Sequence, residues 1–292
     1  MTTEAHSEDD SWDLTTSVGT TAVAVAAIRA LISSRPQALI SDPYAQPLVD
    51  ALGVEIYRSL AAGIPFEDES AAHYGQAVAD GIALRTRFFD DFLIEATRSG
   101  LRQVVVLACG LDTRPQRLTW PPGVIIYELD QPGVVEFKVR TLAELGVADQ
   151  ATVNSIGVDL REDWAAILRD HGFDPAQPTA WIAEAMLPYL PAQAQGRVLD
   201  TITELSSPGS KLAVDWYLTY GVDVEQPESD DMEDARTMVS TECVNAEDYL
   251  RQQGWTICTQ NGEERFVGAG MADRYDPSVG GIHDGYYSTA EL

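Results

Sequence analysis

The chain has 292 residues, 45% of them apolar, enough to bury a full core as one large domain or one domain with an added cap. Nineteen basic residues against 46 acidic ones leave a formal charge of −27, which repels phosphate backbones and anionic lipid, so no nucleic acid and no membrane is expected as a partner. Cys109, Cys243 and Cys258 are too few and too scattered for a disulfide framework and form no Cys-x-x-Cys pair, so a reducing, cytoplasmic setting is expected.

Residues 1–14 are polar and acidic and read as a disordered start. Helical periodicity follows over 20–33, 43–62 and 73–99, and in the last of these Leu84, Phe88, Phe89, Phe92 and Leu93 fall at helical spacing. Residues 15–100 are therefore expected to form a helical cap or lid ahead of an α/β core over 101–292. The alanine-rich 20–32 segment is the longest apolar candidate and is too short to cross a bilayer. From there the pattern is strand, turn, helix, repeated. Strands are predicted at 104–107, 124–129, 152–158, 180–184 and 211–216, with helices at 134–145, 164–170 and 192–205. That alternation predicts a mostly parallel, Rossmann-like sheet with right-handed crossovers and helices on both faces. A very acidic stretch, 223–234, lies in a segment expected to act as a lid, 221–246. Last, 255–259 and 265–269 read as two antiparallel strands joined by Asn261-Gly262, a strong two-residue hairpin signal. A terminal reversed pair suits the methyltransferase variant of this sheet, whereas dinucleotide dehydrogenases close theirs with a further parallel strand.

The first strand runs into Ala108-Cys109-Gly110-Leu111-Asp112-Thr113-Arg114, and the second ends at Asp130. In a doubly wound sheet these are the two places that hold a nucleoside: a glycine where backbone approaches the ligand, and a carboxylate for the ribose hydroxyls. A Gly-x-Gly-x-x-Gly turn needs three glycines, and this one has a single glycine with Asp112 near the helix start that a pyrophosphate would occupy. A nucleoside ligand without phosphates, such as S-adenosylmethionine, suits it better. Asp112 and Arg114 themselves read as a helix cap and a surface pair, and Arg85 or Arg87 is placed to bridge to Asp90 or Asp91 on its own helix. His6, His73, His171 and His283 lie on unrelated segments with no zinc spacing, and neither a Gly-x-Ser-x-Gly elbow nor a Walker loop is present, so no metal is expected.

Seven islands occur in order: Ser17-Val-Gly-Thr-Thr-Ala, Ser41-Asp-Pro-Tyr-Ala-Gln-Pro-Leu, Arg85-Thr-Arg-Phe-Phe-Asp, Gly110-Leu-Asp-Thr-Arg, Tyr127-Glu-Leu-Asp-Gln-Pro, Gly157-Val-Asp-Leu-Arg-Glu-Asp-Trp and Glu184-Ala-Met-Leu-Pro-Tyr-Leu-Pro. Through them the chain resembles the leucine carboxyl methyltransferase family, in particular its mycobacterial and actinobacterial branch of S-adenosylmethionine-dependent methyltransferases. The resemblance implies the class I methyltransferase sheet, S-adenosylmethionine as cofactor and O-methylation of a carboxylate or hydroxyl on a small-molecule or other carboxylate-bearing acceptor. It places Asp130 on the ribose hydroxyls, the Gly110 backbone beside the methionine portion and Asp159 with Leu160 at the adenine. Glu184 matches an acidic residue facing the methionine end, and Arg85 matches the arginine that holds the cofactor carboxylate.

Many relatives carry Gly-Ala-Gly where this chain has Ala108-Cys109-Gly110, which reduces backbone freedom and turns a thiol toward the pocket. The family's eukaryotic members also use a lysine in the first helix near the cofactor carboxylate, and residues 15–35 contain none, so that contact is missing or replaced by Arg29 or the Thr20 or Thr21 hydroxyl. Tyr189 and Trp216 are candidates for the acceptor pocket or the core. An ionised carboxylate acceptor needs no general base, whereas a hydroxyl would need one, with His73, Tyr189 and Asp215 as candidates. A nucleoside-binding protein without turnover and, less favoured, a nicotinamide dehydrogenase are the alternatives, and the oligomeric state is open.

Overall fold

A computed structural model of the protein describes residues 18–64, 69–217 and 243–292. The acidic start, the 223–234 segment and most of the 221–246 lid expectation lie outside these residues.

Four helices come first: α1 (Val18–Ser33), α2 (Ala45–Leu52), α3 (Glu55–Ala61) and α4 (Glu69–Arg98). The single helix expected over 43–62 is broken because Gly53 adopts φ +78° and ends α2 in the left-handed conformation, a position that favours glycine. Next come β1 (Gln103–Leu107), α5 (Arg114–Arg117), β2 (Ile125–Asp130), α6 (Pro132–Glu144), β3 (Thr152–Gly157), α7 (Trp164–Asp170), β4 (Thr179–Ala183), α8 (Ala192–Glu204) and β5 (Lys211–Trp216). A helix at Ala246–Gln252, strand β6 (Thr256–Asn261), helices at Gly262–Gly268 and Gly281–Asp284, and strand β7 (Tyr286–Glu291) complete the chain.

The seven strands lie in the order β3-β2-β1-β4-β5-β7-β6. Strands β1 to β5 are mutually parallel, and β7 runs antiparallel between β5 and β6. This reversed insertion is the class I methyltransferase arrangement. Residues at alternate positions point to opposite faces of the strands. Val105, Leu107, Tyr127, Leu129, Trp181 and Val214 pack with Trp164 and Leu168 of α7 and Val198, Leu199 and Ile202 of α8. Val104, Val106, Ile126, Ala180 and Ile182 face the other way, onto Phe88, Phe89, Phe92 and Leu93 of α4. The apolar stripe read in the sequence thus makes α4 a layer of the central sandwich, while α1 packs on α2, α3 and α4, and α2 on α6. Among the described residues, no helix is long and apolar enough to cross a membrane.

The antiparallel pair is present, but not as the hairpin expected at 255–259 and 265–269. Asn261 ends β6 and caps the next helix: its side chain accepts from the Glu264 N–H at 2.8 Å, and Glu264 returns a bond to the Asn261 N–H at 3.0 Å. That reciprocal capping box overrides the turn propensity of Asn-Gly, and residues 265–269 are helical apart from the C-cap Ala269. The reversing strand comes from the very end of the chain.

Gly262 is required there for a different reason, since a Cβ at this position would overlap the carbonyl oxygen of His283. Overpacking against backbone finds no flexible side chain to yield. Gly262→Ala is expected to cost about 3 kcal/mol or more, read as a lowered urea midpoint with an unchanged m-value.

Candidate functional site

Strand order reverses direction between β1 and β4, which is where open α/β sheets place their ligand sites, beyond the carboxyl ends of the strands. A cleft lies there. Its floor and walls include Ala108 to Asp112 after β1, Asp130 and Gln131 after β2, Val158 to Arg161 after β3, and Glu184 to Met186 after β4. Gly19, Thr21, Ala22, Val25 and Arg29 of α1 and Arg85 of α4 close it from the helical side. Arg85, Gly110, Asp130, Asp159, Leu160 and Glu184, spread over 99 positions of sequence, all line this one cleft.

Strand ends explain why each is there. Leaving β1, Ala108 turns the chain at φ +49°, and Gly110 has φ +49° as well. The Gly110 N–H donates to Asp130 Oδ2 at 2.6 Å, while Asp130 Oδ1 accepts from the Gln131 N–H at 2.7 Å. Each carboxylate oxygen has two acceptor sites, so Asp130 keeps one on each oxygen for a ligand hydroxyl. Burial pushes the Asp130 carboxyl upward despite those two donors. Asp159 is more exposed and is gripped by Arg161, whose Nη2 lies 2.6 Å from Oδ2. Burial alone would raise Asp159, and the Arg161 bonds bring it below the usual carboxylate range.

Asp112 and Arg114, expected as a cap and a surface pair, are neither: Thr113 is the N-cap of α5 and makes no side-chain cap bond, and both Asp112 and Arg114 are buried. The Arg114 N–H donates to Asp112 Oδ1 at 2.7 Å, so a carboxylate already stands at the start of α5 and takes its first N–H. The Arg114 side chain is 3% exposed, with Nε 2.6 Å from Asp90 Oδ1 and Nη1 2.6 Å from Asp112 Oδ2 and 2.8 Å from Glu184 Oε2. Burial would raise the Asp112 carboxyl, but Arg114, Arg117, Arg29 and Lys138 together hold it at about 2. Arg85 does not bridge along its own helix. Its Nε donates to Glu184 Oε1 at 3.1 Å and its Nη1 lies 4.0 Å from Asp215 Oδ2, while Arg87 takes Asp91 at 3.3 Å. Burial disfavours the Arg85 cation and the Glu184 and Asp215 charges more than compensate, so it stays protonated.

Arg29 lines the cleft at the α1 side, where a first-helix cation was sought, but its guanidinium is engaged with Asp42 Oδ2 at 3.0 Å and the Leu111 carbonyl at 2.6 Å. Of the three candidate bases only Tyr189 lines the cleft. Burial pushes its phenol up, with a bond to the Thr21 side chain opposing. His73 is exposed and sits 3.7 Å from Asp276. Asp215 is fully buried, raised by burial to about 6, and accepts the Ala185 N–H at 2.6 Å. Trp216 belongs to the core, bonded to Ser288 and stacked on Tyr286.

Two features escaped the sequence reading. Asp42 accepts from Arg29, Thr113 and two backbone N–H groups, tying the start of α2 to the β1 turn. Lys138 is buried under the cleft. Its signal was legible, since it falls on the helical stripe of Val134, Val135, Thr141 and Leu142, where a solvated lysine has no place.

Residues 22–203 match the leucine carboxyl methyltransferase family model. A Mycobacterium marinum protein provisionally named an S-adenosyl-L-methionine-dependent methyltransferase is 44% identical over 275 residues, covering 91% of each chain. A second protein of that name and organism is 56% identical over 214 residues, 71% of this chain and 66% of its own. Among solved structures, a DUF574 family protein from Streptomyces avermitilis has the same fold, with a TM-score of 0.56 at 15% identity, covering 91% of this chain and 96% of its own.

Ala108 carries a side chain in a conformation that costs an L-residue roughly 1–2 kcal/mol. Ala108→Gly is expected to raise unfolding stability by about 0.5–1 kcal/mol, because relief of the left-handed strain exceeds the added freedom of the unfolded chain. Ala183→Gly, in the adjacent extended strand β4, is expected to lower it by a similar amount. Parallel urea titrations of the two variants separate the effects.

Proposed function

The chain belongs to the leucine carboxyl methyltransferase family, and on that footing we propose that it transfers the methyl group of S-adenosylmethionine to a carboxylate oxygen of its acceptor. When bound, this cofactor supplies a sulfonium methyl open to in-line attack by the acceptor oxygen. The residues of the cleft fit it. Asp130 offers two remaining acceptor positions for ribose hydroxyls, and Val158 with Leu160 gives an apolar wall for adenine beside the polar Asp159. Glu184, paired with both Arg85 and Arg114, stands toward the cationic methionine end. Arg85 lines the same end and keeps guanidinium N–H groups for a carboxylate. A pyrophosphate fits poorly, because the ionised Asp112 already stands at the start of α5 and takes the Arg114 N–H.

What supports a carboxylate rather than a hydroxyl acceptor is the commitment of the acids that line the cleft. Among the described lining residues, Asp112 and Glu184 are in ion pairs with arginine, Asp159 is held by Arg161, and Asp130 is bonded to two backbone N–H groups. Among the described residues no histidine lines it, and burial pushes the phenol of Tyr189, the one candidate base there, upward. A hydroxyl needs a proton acceptor as it attacks, whereas a carboxylate arrives ionised at neutral pH. The chain's own contribution is then to orient the two partners and keep water away from them.

S-adenosylmethionine at about a hundredfold excess over its Kd is expected to stabilise the parent by about 2.7 kcal/mol, and Asp130→Ala to abolish the rise in melting temperature. Absence of a shift in the parent counts against the cofactor. The acceptor class is read separately. With methyl-labelled cofactor and an extract of small acids and alcohols, a carboxylate acceptor yields a methyl ester that releases labelled methanol in mild alkali. Label that survives alkali as an ether overturns the carboxylate assignment.

A further inference from the structure

Below the cleft, on the sheet face covered by α4 and α6, the side chain of Lys138 is 1% exposed. Its ammonium has three protons and three partners: Glu128 Oε1 at 2.8 Å, the Asp112 carbonyl at 3.3 Å and Cys109 Sγ at 3.4 Å. Only the first of these is an ion pair. The other two are the ends of the turn that carries Gly110, which is closed by the Asp112 N–H donating to the Cys109 carbonyl at 2.9 Å. The Cys109 thiol is pushed well up by burial, so it meets the ammonium as a neutral acceptor.

Lys138 therefore spans both ends of the turn from beneath and anchors it to Glu128, two residues before Asp130 on β2. Above the turn, the Gly110 N–H reaches Asp130 Oδ2 at 2.6 Å. The ammonium fixes the distance between the two groups that sequence and geometry set against the nucleoside. We propose that Lys138 is a positioning residue for cofactor binding, acting through the Asp112 carbonyl and the Cys109 thiol to hold Gly110 in register with Asp130, without touching the ligand itself. The inference rests on the reading that the cleft takes S-adenosylmethionine.

Lys138 has one bond to Glu128 and two to the turn, and variants separate these. Calorimetric S-adenosylmethionine affinity and melting temperature are measured in parallel for the parent, Glu128→Gln, Lys138→Met and the double variant Lys138→Met with Glu128→Leu. Glu128→Gln leaves the lysine on the turn and is expected to lower the melting temperature while Kd stays within about threefold of the parent. Lys138→Met strands the Glu128 carboxylate and frees the turn, so both melting temperature and affinity fall, the latter by about tenfold or more. The double variant replaces a buried charge pair by apolar groups and is expected to regain most of the lost melting temperature while keeping the weakened Kd. Recovery of the parent Kd along with the melting temperature overturns the positioning role and leaves a structural ion pair. If Lys138→Met alone does not fold, the contrast between Glu128→Gln and the double variant decides the matter. A parent that binds no S-adenosylmethionine overturns the cofactor reading and this inference with it, whereas an unchanged Kd in folded Lys138-substituted protein overturns the inference alone.

Discussion

The guanidinium of Arg114 is the point on which the site depends. It sits at the start of α5, fully enclosed, and contacts a carboxylate from each of three elements: Asp90 on α4, Asp112 in the β1 turn and Glu184 at the end of β4. Arg117 adds a bidentate grip on Asp90 at 2.6 and 2.7 Å, and Arg85 reaches Glu184 from α4. From the opposite side Arg29 of α1 and Thr113 meet on Asp42. The helices that precede the sheet are thus bonded to the ends of its strands through charge, as well as packed on it through α4.

Such a network is a poor source of net stability, since desolvating each ion costs several kcal/mol before any attraction is counted. Apolar residues of similar volume would serve the core as well. What the charges add is geometry. Arginine offers a planar fork of five donors, and each carboxylate bonded to it has a fixed direction, so the side chains that reach the cleft have little rotameric freedom left. Glu184 shows the consequence: one oxygen is held by Arg85 and the other by Arg114, so the direction in which the carboxylate faces the cleft is fixed.

The periodic elements were legible because burial imposes a period. Strand β5 has the bounds read from its apolar run, α7 has those read from its pattern, and the α4 stripe is buried as its spacing implied. That six scattered residues would gather in one cleft was legible in two ways, Gly110 and Asp130 from the strand ends where the fold puts ligands, and Arg85, Asp159, Leu160 and Glu184 from the family islands. The failures share another cause. Asn261-Gly262 is a good hairpin turn by propensity, and only Glu264, three residues after Asn261, reveals that the same asparagine caps a helix. Strand β7 lacks an apolar run of its own and is defined by pairing with β5 and β6, which no local pattern encodes. Arg114 and Lys138 were misread or missed because charged residues are taken as surface unless partners are known, and, Asp112 apart, their ion-pair partners lie 10 to 70 positions away.

The two sides of the switch point are built alike, and this explains why the chain tolerates strain there. Ala108 after β1 and Ala185 after β4 both adopt left-handed backbone, at φ +49° and +51°. On each side a carboxylate from the next strand outward takes a backbone N–H of the turn: Asp130 of β2 takes Gly110, and Asp215 of β5 takes Ala185, both at 2.6 Å. A hydrogen bond to a charged acceptor contributes roughly 1.5–3 kcal/mol, enough to offset the roughly 1–2 kcal/mol of a left-handed alanine. The turns lift the chain off the sheet at neighbouring strand ends and open the cleft between them. The two carboxylates differ only in what lies beyond: Asp130 opens onto the cleft with acceptor positions to spare, whereas Asp215 is sealed behind Arg85 and Ala185. One device, used twice, gives a cleft-facing carboxylate on one side and a buried, supporting one on the other.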